Sequence, residues 1–317
     1  MNEHPVAPNG LTHLDAAGRV KMVDVGAKPV TARVAVAFGA AWLGADPLAR
    51  LLGGRLAKGD ALAASRLAGI MAAKRTSELL PLTHPLRLDA VGVHFFPLGP
   101  ERLGVLAEAR ATDRTGVEME AMTAATIGLL NVYDMVKAVA RGARLESVRL
   151  VRKSGGRSGD WLTEGVAAGR IEKLASSQAK GTPKDPCDEV EIVPGFGVAG
   201  DAHGGDWHRQ VSLLGLESIR AMQAKGLAVD FGSFAENIAT SGLRLYELPI
   251  GTILYGGEGV VLEVTQIGKE CHTRCAVYHR AGDCVMPREG IFARVLAGGR
   301  LRTGDALLAL PPFNPGG

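Results

Sequence analysis

One polar, glycine-rich stretch, Lys153-Ser154-Gly155-Gly156-Arg157-Ser158-Gly159-Asp160, divides the chain into halves whose apolar residues follow different rules. It has no periodicity, so it reads as a loop or tail between two folding units. At 317 residues the length also suits two domains of about 150 residues each. Gly165 to Gly169 reads as a small-residue connector, and the second half begins at Arg170-Ile171-Glu172-Lys173-Leu174.

The first half alternates element types. Asp60 can cap a helix that runs to about Leu79. Pro81-Leu82-Thr83-His84-Pro85 then breaks it, because two prolines remove donors and fix backbone angles. Leu86, Leu88 and Ala90 alternate, followed out of phase by Val91, Val93 and Phe95, which suits a strand with a bulge. Val105 to Ala111 reads as a second strand, Gly116 to Arg141 as a long helix, and Leu145 to Val151 as a further strand. The order predicts an α+β sandwich with one sheet face covered. The second half holds many short apolar segments: Glu189 to Val193, Val211 to Leu214, Thr252 to Leu254, Gly259 to Ile267 and Ala306 to Leu310. Glycine-rich turns and one short helix near Glu217 to Ala224 separate them, a pattern that favours a β-barrel.

Composition narrows the function. A net charge of +3 and 5% aromatic residues argue against a nucleic-acid surface. The longest nearly apolar run, Val34 to Ala45, falls short of the about 20 residues needed to span a bilayer, and the first residues lack a signal-peptide pattern. The expectation is a soluble cytoplasmic protein whose four cysteines are thiols or ligands rather than disulfides.

Within the long helix, Asp134 and Lys137 stand three apart and share a face. A surface ion pair is the plain reading. The apolar neighbours Val132, Met135, Val136 and Val139 favour a functional one. Glu120, Ile127 and Asp134 fall on one stripe, but a continuous helix puts Glu120 and Asp134 about 21 Å apart. They cannot grip one small group from the same helix, so a shared site requires a long substrate or a second subunit. Lys58 precedes the Asp60 cap, Lys74-Arg75 and His84 flank the proline turn, and together they suit a phosphorylated small molecule. No GxxxxGK[ST] run is present, which excludes a P-loop hydrolase.

These motifs carry a resemblance. Met22-Val23-Asp24-Val25, Lys58-Gly59-Asp60, Ala68 to Thr76, Pro81-Leu82-Thr83-His84-Pro85, Thr115 to Ala121, Tyr133 to Val139 and Lys153-Ser154-Gly155-Gly156 resemble the cyclic pyranopterin monophosphate synthase family over about residues 11–160. The resemblance implies a ferredoxin-like α/β sandwich, a homohexamer with sites at subunit interfaces, and no cofactor for the synthase half. It implies conversion of (8S)-3',8-cyclo-7,8-dihydroguanosine 5'-triphosphate to cyclic pyranopterin monophosphate with release of diphosphate, in molybdenum cofactor biosynthesis. Asp134 would be the general acid/base and Lys58 its catalytic partner. Leu82, Thr83, His84, Met119, Glu120 and Lys137 would bind substrate, and Arg33 would meet the triphosphate. The chain departs from the family at Thr83, where Cys is common, and at Val34, where Glu is common.

In the second half, Gly195 to Gly200 formally fits GxGxxG, but Pro194 before it and Asp201-Ala202-His203 after it mark a turn. Cys271, His272, Cys275, His279 and Cys284 suit a structural zinc site, plain buried thiols, or one reactive cysteine near Lys269, His272 and Arg274. Gly200-Asp201-Ala202-His203, His208 to Leu214, Phe234 to Ile238 and Gly268 to Cys271 resemble the molybdenum-cofactor sulfurase C-terminal (MOSC) family over about residues 169–311. That resemblance implies a β-barrel for molybdenum cofactor or sulfur handling, with Cys271 as its characteristic cysteine and His203, His208, Arg209 and Asn237 lining a cleft. The leading expectation is therefore a synthase fused to a cofactor-handling barrel. The competing one is a molybdopterin or sulfur carrier whose first half is an oligomerising scaffold.

Overall fold

The computed structural model describes residues 18–157, 159–180, 182–269 and 284–315, and the chain forms two units, 1–163 and 164–317. The first unit contains β1 (Thr31–Trp42), α1 (Ala45–Leu52), α2 (Ala61–Lys74), α3 (Thr76–Leu79), β2 (Leu88–Leu98), β3 (Arg102–Asp113), α4 (Glu118–Val136), β4 (Arg144–Ser154) and β5 (Trp161–Leu162). The sheet order is β2-β3-β1-β4-β5 and every pairing is antiparallel. The first four strands with their helices make the split βαβ arrangement of a ferredoxin-like sandwich. Helices α2 and α4 cover one face through Val93, Val105, Ala107, Ala121, Leu129 and their neighbours.

Several expectations shift. The central strand β1 overlaps the apolar run Val34 to Ala45. It lies between β3 and β4 and is buried along most of its length, so it shows no polar alternation to mark it as a strand. The helix expected from Asp60 to Leu79 breaks at Arg75. Asp60 does cap it, accepting from Ala63 N at 2.9 Å. The helix expected to reach Arg141 ends at Val136. The stretch that reads as a loop or tail is instead the turn of a hairpin, because β5 returns to pair with Arg152 and Lys153 of β4. The bulge expected early in β2 sits between Leu88 and Ala90.

The second unit contains β6 (Ala167–Ser176), β7 (Asp185–Cys187), β8 (Glu189–Val193), β9 (Gly197–Val198), β10 (Val211–Gly215), α5 (Leu216–Ala224), β11 (Ile238–Ser241), β12 (Ile253–Gly256), β13 (Val260–Ile267), α6 (Met286–Glu289), β14 (Ile291–Ala297), β15 (Gly299–Arg302) and β16 (Ala306–Leu310). Strands β11-β10-β14-β13-β12-β16-β6 follow in that order, and β6 also pairs with β11, closing a seven-stranded barrel. Only β10 and β11 run parallel among these pairings. Ile171, Leu213, Ile238, Leu262 and Leu307 fill its interior. The expected connector Gly165 to Gly169 is partly strand. At Gly169 a Cβ would lie 2.4 Å from the Ser241 carbonyl, so the small residue permits close pairing of β6 with its neighbour. The GxGxxG segment makes the turn from β8 into β9, with Ile192 opposite Val198.

Candidate functional site

In the first unit α2 and α4 run antiparallel, as three contacts along their length show. Lys58, just before α2, meets Asp134 near the C-terminal end of α4; Ser65 Oγ accepts from Asn131 Nδ2 at 3.0 Å; and Gly69 faces the Ala124 carbonyl so closely that a Cβ would sit 2.7 Å from it. Small residues at 65 and 69 let the two helices approach, and that approach delivers Lys58 to the end of α4.

There Lys58 Nζ donates to Asp134 Oδ2 at 2.9 Å and to the Asp134 carbonyl at 2.8 Å, while Lys137 Nζ donates to Oδ1 at 2.6 Å. The ammonium groups, Lys137 first and then Lys58, hold the Asp134 carboxyl down at about 2. Asp134 in turn raises the Lys137 ammonium above its ordinary value. The apolar neighbours of this pair suggested burial, yet all three side chains are about half exposed, at 43%, 52% and 56% for Lys58, Asp134 and Lys137. The arrangement is a solvent-facing anion flanked by two cations, whose ammonium groups are suited to holding phosphate.

The other expected residues lie elsewhere. Glu120, in the first turn of the same continuous α4, is 3% exposed. Burial, with Glu118 adding to it, pushes its carboxyl up to about 7. Met119 beside it is exposed. Glu118 pairs with Lys153 at 3.2 Å. Arg33 is buried, with Nε donating to the Asp113 carbonyl and Nη2 to the Arg114 carbonyl, both at 3.2 Å. Its guanidinium lies over Gly156, where a Cβ would fall 1.4 Å from Nη1. Leu82, Thr83 and His84 follow α3, and the Thr83 hydroxyl donates back to the Leu80 carbonyl at 2.8 Å, so it closes a turn. One chain thus gathers Lys58, Asp134 and Lys137 at one end of α4 and places Glu120 at the other.

In the second unit, sequence reasoning missed the residues at the centre. Asp201 and Lys184 form a buried ion pair, with Lys184 Nζ donating to Asp201 Oδ2. Asp201 also accepts from Ser177 N at 3.1 Å, Asn237 Nδ2 at 3.0 Å and His203 N at 2.8 Å. Burial pushes its carboxyl up, but these donors, Lys184 foremost, outweigh it and leave the group below its ordinary value. Asp201 stands in the quoted Gly200-Asp201-Ala202-His203 motif, so a signal was present. Lys184, in a polar run, carried none.

His203 Nδ1 lies 3.2 Å from Asp201 Oδ1 and 3.3 Å from Lys184 Nζ. Asn237 is buried, with Oδ1 accepting from Ser212 and Nδ2 donating to Ala175 O and Asp201. It braces the site from behind rather than lining an open cleft. Beside it Ala235 adopts φ +62°, a conformation rare for a residue with a Cβ and costing about 1 kcal/mol or more. Glu236 accepts from Gly232 N and Phe234 N, and burial raises its carboxyl to about 7. His208 Nε2 is 3.0 Å from Gln266 Oε1. Arg209 packs over the rings of Trp207 at 4.6 Å and Phe292 at 5.6 Å, and its Nε is buried without a hydrogen-bond partner among the described residues. Cys271, with His272, Cys275 and His279, lies outside the described residues. Cys284 is buried. A separate cleft of about 550 Å³ is lined by Glu217, Ser218, Arg244, Tyr246 and Glu289, none of them expected from sequence.

Comparison with known proteins matches both halves. The model of the MoaC family matches residues 22–156 and that of the MOSC domain residues 199–308. A cyclic pyranopterin monophosphate synthase from Chloroflexus aurantiacus is 53% identical over 156 residues, covering 49% of this chain and 96% of that protein. One from Brucella melitensis is 52% identical over 161 residues, covering 50% and 98%. Among solved structures, the YuaD protein from Bacillus subtilis aligns with 45% of this chain and 96% of its own at 19% identity and a TM-score of 0.40.

Proposed function

The chain belongs to the MoaC family through residues 22–156 and carries a MOSC domain over residues 199–308, and from that premise we propose that its first unit is a lyase forming cyclic pyranopterin monophosphate from (8S)-3',8-cyclo-7,8-dihydroguanosine 5'-triphosphate, with diphosphate released. The observation that carries the reading is the junction of Lys58, Asp134 and Lys137, two ammonium groups on one carboxylate. Ring opening, pterin closure and cyclic phosphate formation all move protons. As found, Asp134 is ionised and its two oxygens are engaged, so it exchanges protons poorly. A phosphorylated substrate supplies competing oxyanions. When these draw Lys137 away, the main force holding the Asp134 carboxyl down is gone, and Asp134 becomes a usable acid/base while Lys58 remains tied to the helix carbonyl.

Arg33 binds the triphosphate in this reading. Leu82, Thr83, His84, Met119 and Glu120 bind the purine-derived part. The length of α4 separates Glu120 from Asp134 by about 21 Å. The reading therefore completes each site with a neighbouring copy, in a homohexamer. It assigns the proton transfers to side chains alone and places the protein in the cytoplasm, where the thiols stay reduced.

The second unit is read as the site for molybdenum cofactor or sulfur handling. The buried Nε of Arg209, unpartnered among the described residues, fits an anionic group of such a cofactor. Arg209, His208 and His203 would hold it, and Cys271 belongs to the same reading. When bound, the cofactor supplies molybdenum with its sulfur ligands, and the chain supplies cationic and imidazole groups around it.

Purified protein supplied with the cyclised triphosphate tests the reading. It should yield the pterin product, with turnover lost in Asp134→Asn and kept in Cys271→Ser. Absence of product from the wild-type protein would overturn it.

A further inference from the structure

The second unit carries a cleft that neither reading above uses. The first turn of α5, the chain that follows β11 and the last residue of α6 border about 550 Å³, the size of a small-molecule site and far more than one bare ion fills. It shares no lining residue with the Asp201 and His203 site. Two of its polar groups converge on Gly215: a Cβ added there would lie 3.3 Å from Glu217 Oε2 and 3.6 Å from Ser218 Oγ. Glu217 uses its other oxygen, Oε1, to accept from Gly242 N at 3.3 Å. Ser218 lines the cleft and is only 5% exposed, yet its hydroxyl has no hydrogen-bond partner among the described residues. Leaving such a group unpaired is costly, so whatever occupies the cleft has to satisfy it.

Charge decides what that occupant is. Glu217 stands in the first turn of α5, where the helix dipole by itself accounts for a carboxylate. Glu289 has no such account: it comes from α6, is half-buried, and has neither an ion pair nor a side-chain hydrogen bond among the described residues. Arg244 also lines the cleft, but its Nη1 donates to Glu247 Oε1 at 3.0 Å, so its charge is already matched and does not neutralise Glu217 or Glu289. Tyr246, 40% exposed, adds an aromatic wall. We propose that this cleft binds a small organic cation with N–H donors, an amine or a guanidine. Glu289 and Glu217 Oε2 accept from its N–H groups, Ser218 Oγ is a further acceptor, and the Tyr246 ring packs against it. The two unmatched carboxylates repel an anion. A metal ion fits less well, since no group of three or more His, Cys, Asp and Glu able to hold one exists among the described residues. The proposal does not depend on the cofactor reading of the second unit.

Titration calorimetry of the full-length protein tests this, with agmatine as the probe because it carries both an ammonium and a guanidinium group. Low salt keeps exposed charges from being screened. Agmatine should bind saturably, one molecule per chain. Absence of saturable binding to the wild-type protein overturns the proposal. Tetramethylammonium, a cation with no N–H, should bind the same wild-type protein about 10-fold more weakly or worse. Equal affinity for the two overturns recognition through hydrogen bonds, and this comparison needs no substitution that could disturb folding. Glu289→Gln keeps the side chain's size and removes its charge, and it should weaken agmatine binding by about 10-fold or more. Ser218→Ala should weaken it severalfold. Undiminished binding in Glu289→Gln puts the cation elsewhere and overturns the assignment; undiminished binding in Ser218→Ala overturns the part given to the hydroxyl.

Discussion

Lys58 binds Asp134 twice, through the carboxylate at 2.9 Å and through the same residue's carbonyl at 2.8 Å. The second bond places a cation on a carbonyl near the C-terminal end of α4, where the helix dipole favours positive charge. Among the described residues Lys137 meets the carboxylate alone. The two lysines are therefore unequal: one is fastened to the helix, and the other is free to follow a phosphate.

That inequality gives different outcomes for the two substitutions. In Lys137→Met the Asp134 carboxyl loses the larger of its two restraining cations and should titrate above about 2, moving toward the ordinary carboxylate value. Carbon-13 NMR of the carboxyl reads this directly. Lys58→Met should shift it less, and should lower kcat more than it raises KM, by about 100-fold or more if Lys58 takes part in proton transfer. Equal shifts for the two variants would contradict the inequality.

Glu120 makes the first unit sensitive to pH. Its carboxyl is raised to about 7 by burial, so the folded state holds a proton that the unfolded chain releases above the ordinary value of 4.5. The resulting stability is present in full below pH 4.5 and is lost as the pH rises through 7. The difference between the two states is worth on the order of 3 kcal/mol. Denaturant unfolding across this range should show the decline, and Glu120→Gln should flatten it.

Gly156 governs Arg33. Its φ of +81° disfavours any side chain, and a Cβ would strike the guanidinium. Gly156→Ala should displace Arg33 from the Asp113 and Arg114 carbonyls, cost about 1–3 kcal/mol in stability, and raise KM for the triphosphate substrate while leaving kcat largely intact. Steady-state kinetics beside thermal unfolding checks both parts.

In the second unit Asp201→Ala would leave the Lys184 ammonium buried and unpaired. The expected loss is about 3–5 kcal/mol, measured as a drop in the denaturation midpoint of that unit. Lys184→Met, which removes the cation and keeps the bulk, should cost less.

The elements with clear periodicity were legible: α2 from its Asp60 cap, β3 from Val105 to Ala111, and the short strands β8, β10, β13 and β16 of the second unit. Strand β1 was not, because Ala35 to Ala41 is buried by packing on both sides and offers no alternation. Strand β6 was hidden by Ala167, Ala168 and Gly169, small residues that serve close strand pairing as well as they serve a linker. At the candidate site, Asp134 and Lys137 were visible through helical spacing. The contact with Lys58, 76 residues away, follows from helix packing that spacing alone does not reveal. Lys184 was invisible for the same reason: its partner Asp201 is distant in sequence and meets it only in the folded barrel.

Diphosphate release from the cyclised triphosphate, followed in time with the wild-type protein and with Asp134→Asn, tests the central claim most directly. The account predicts steady release with the wild type and its loss in the variant, with folding and assembly unchanged. Undiminished release by Asp134→Asn would contradict it.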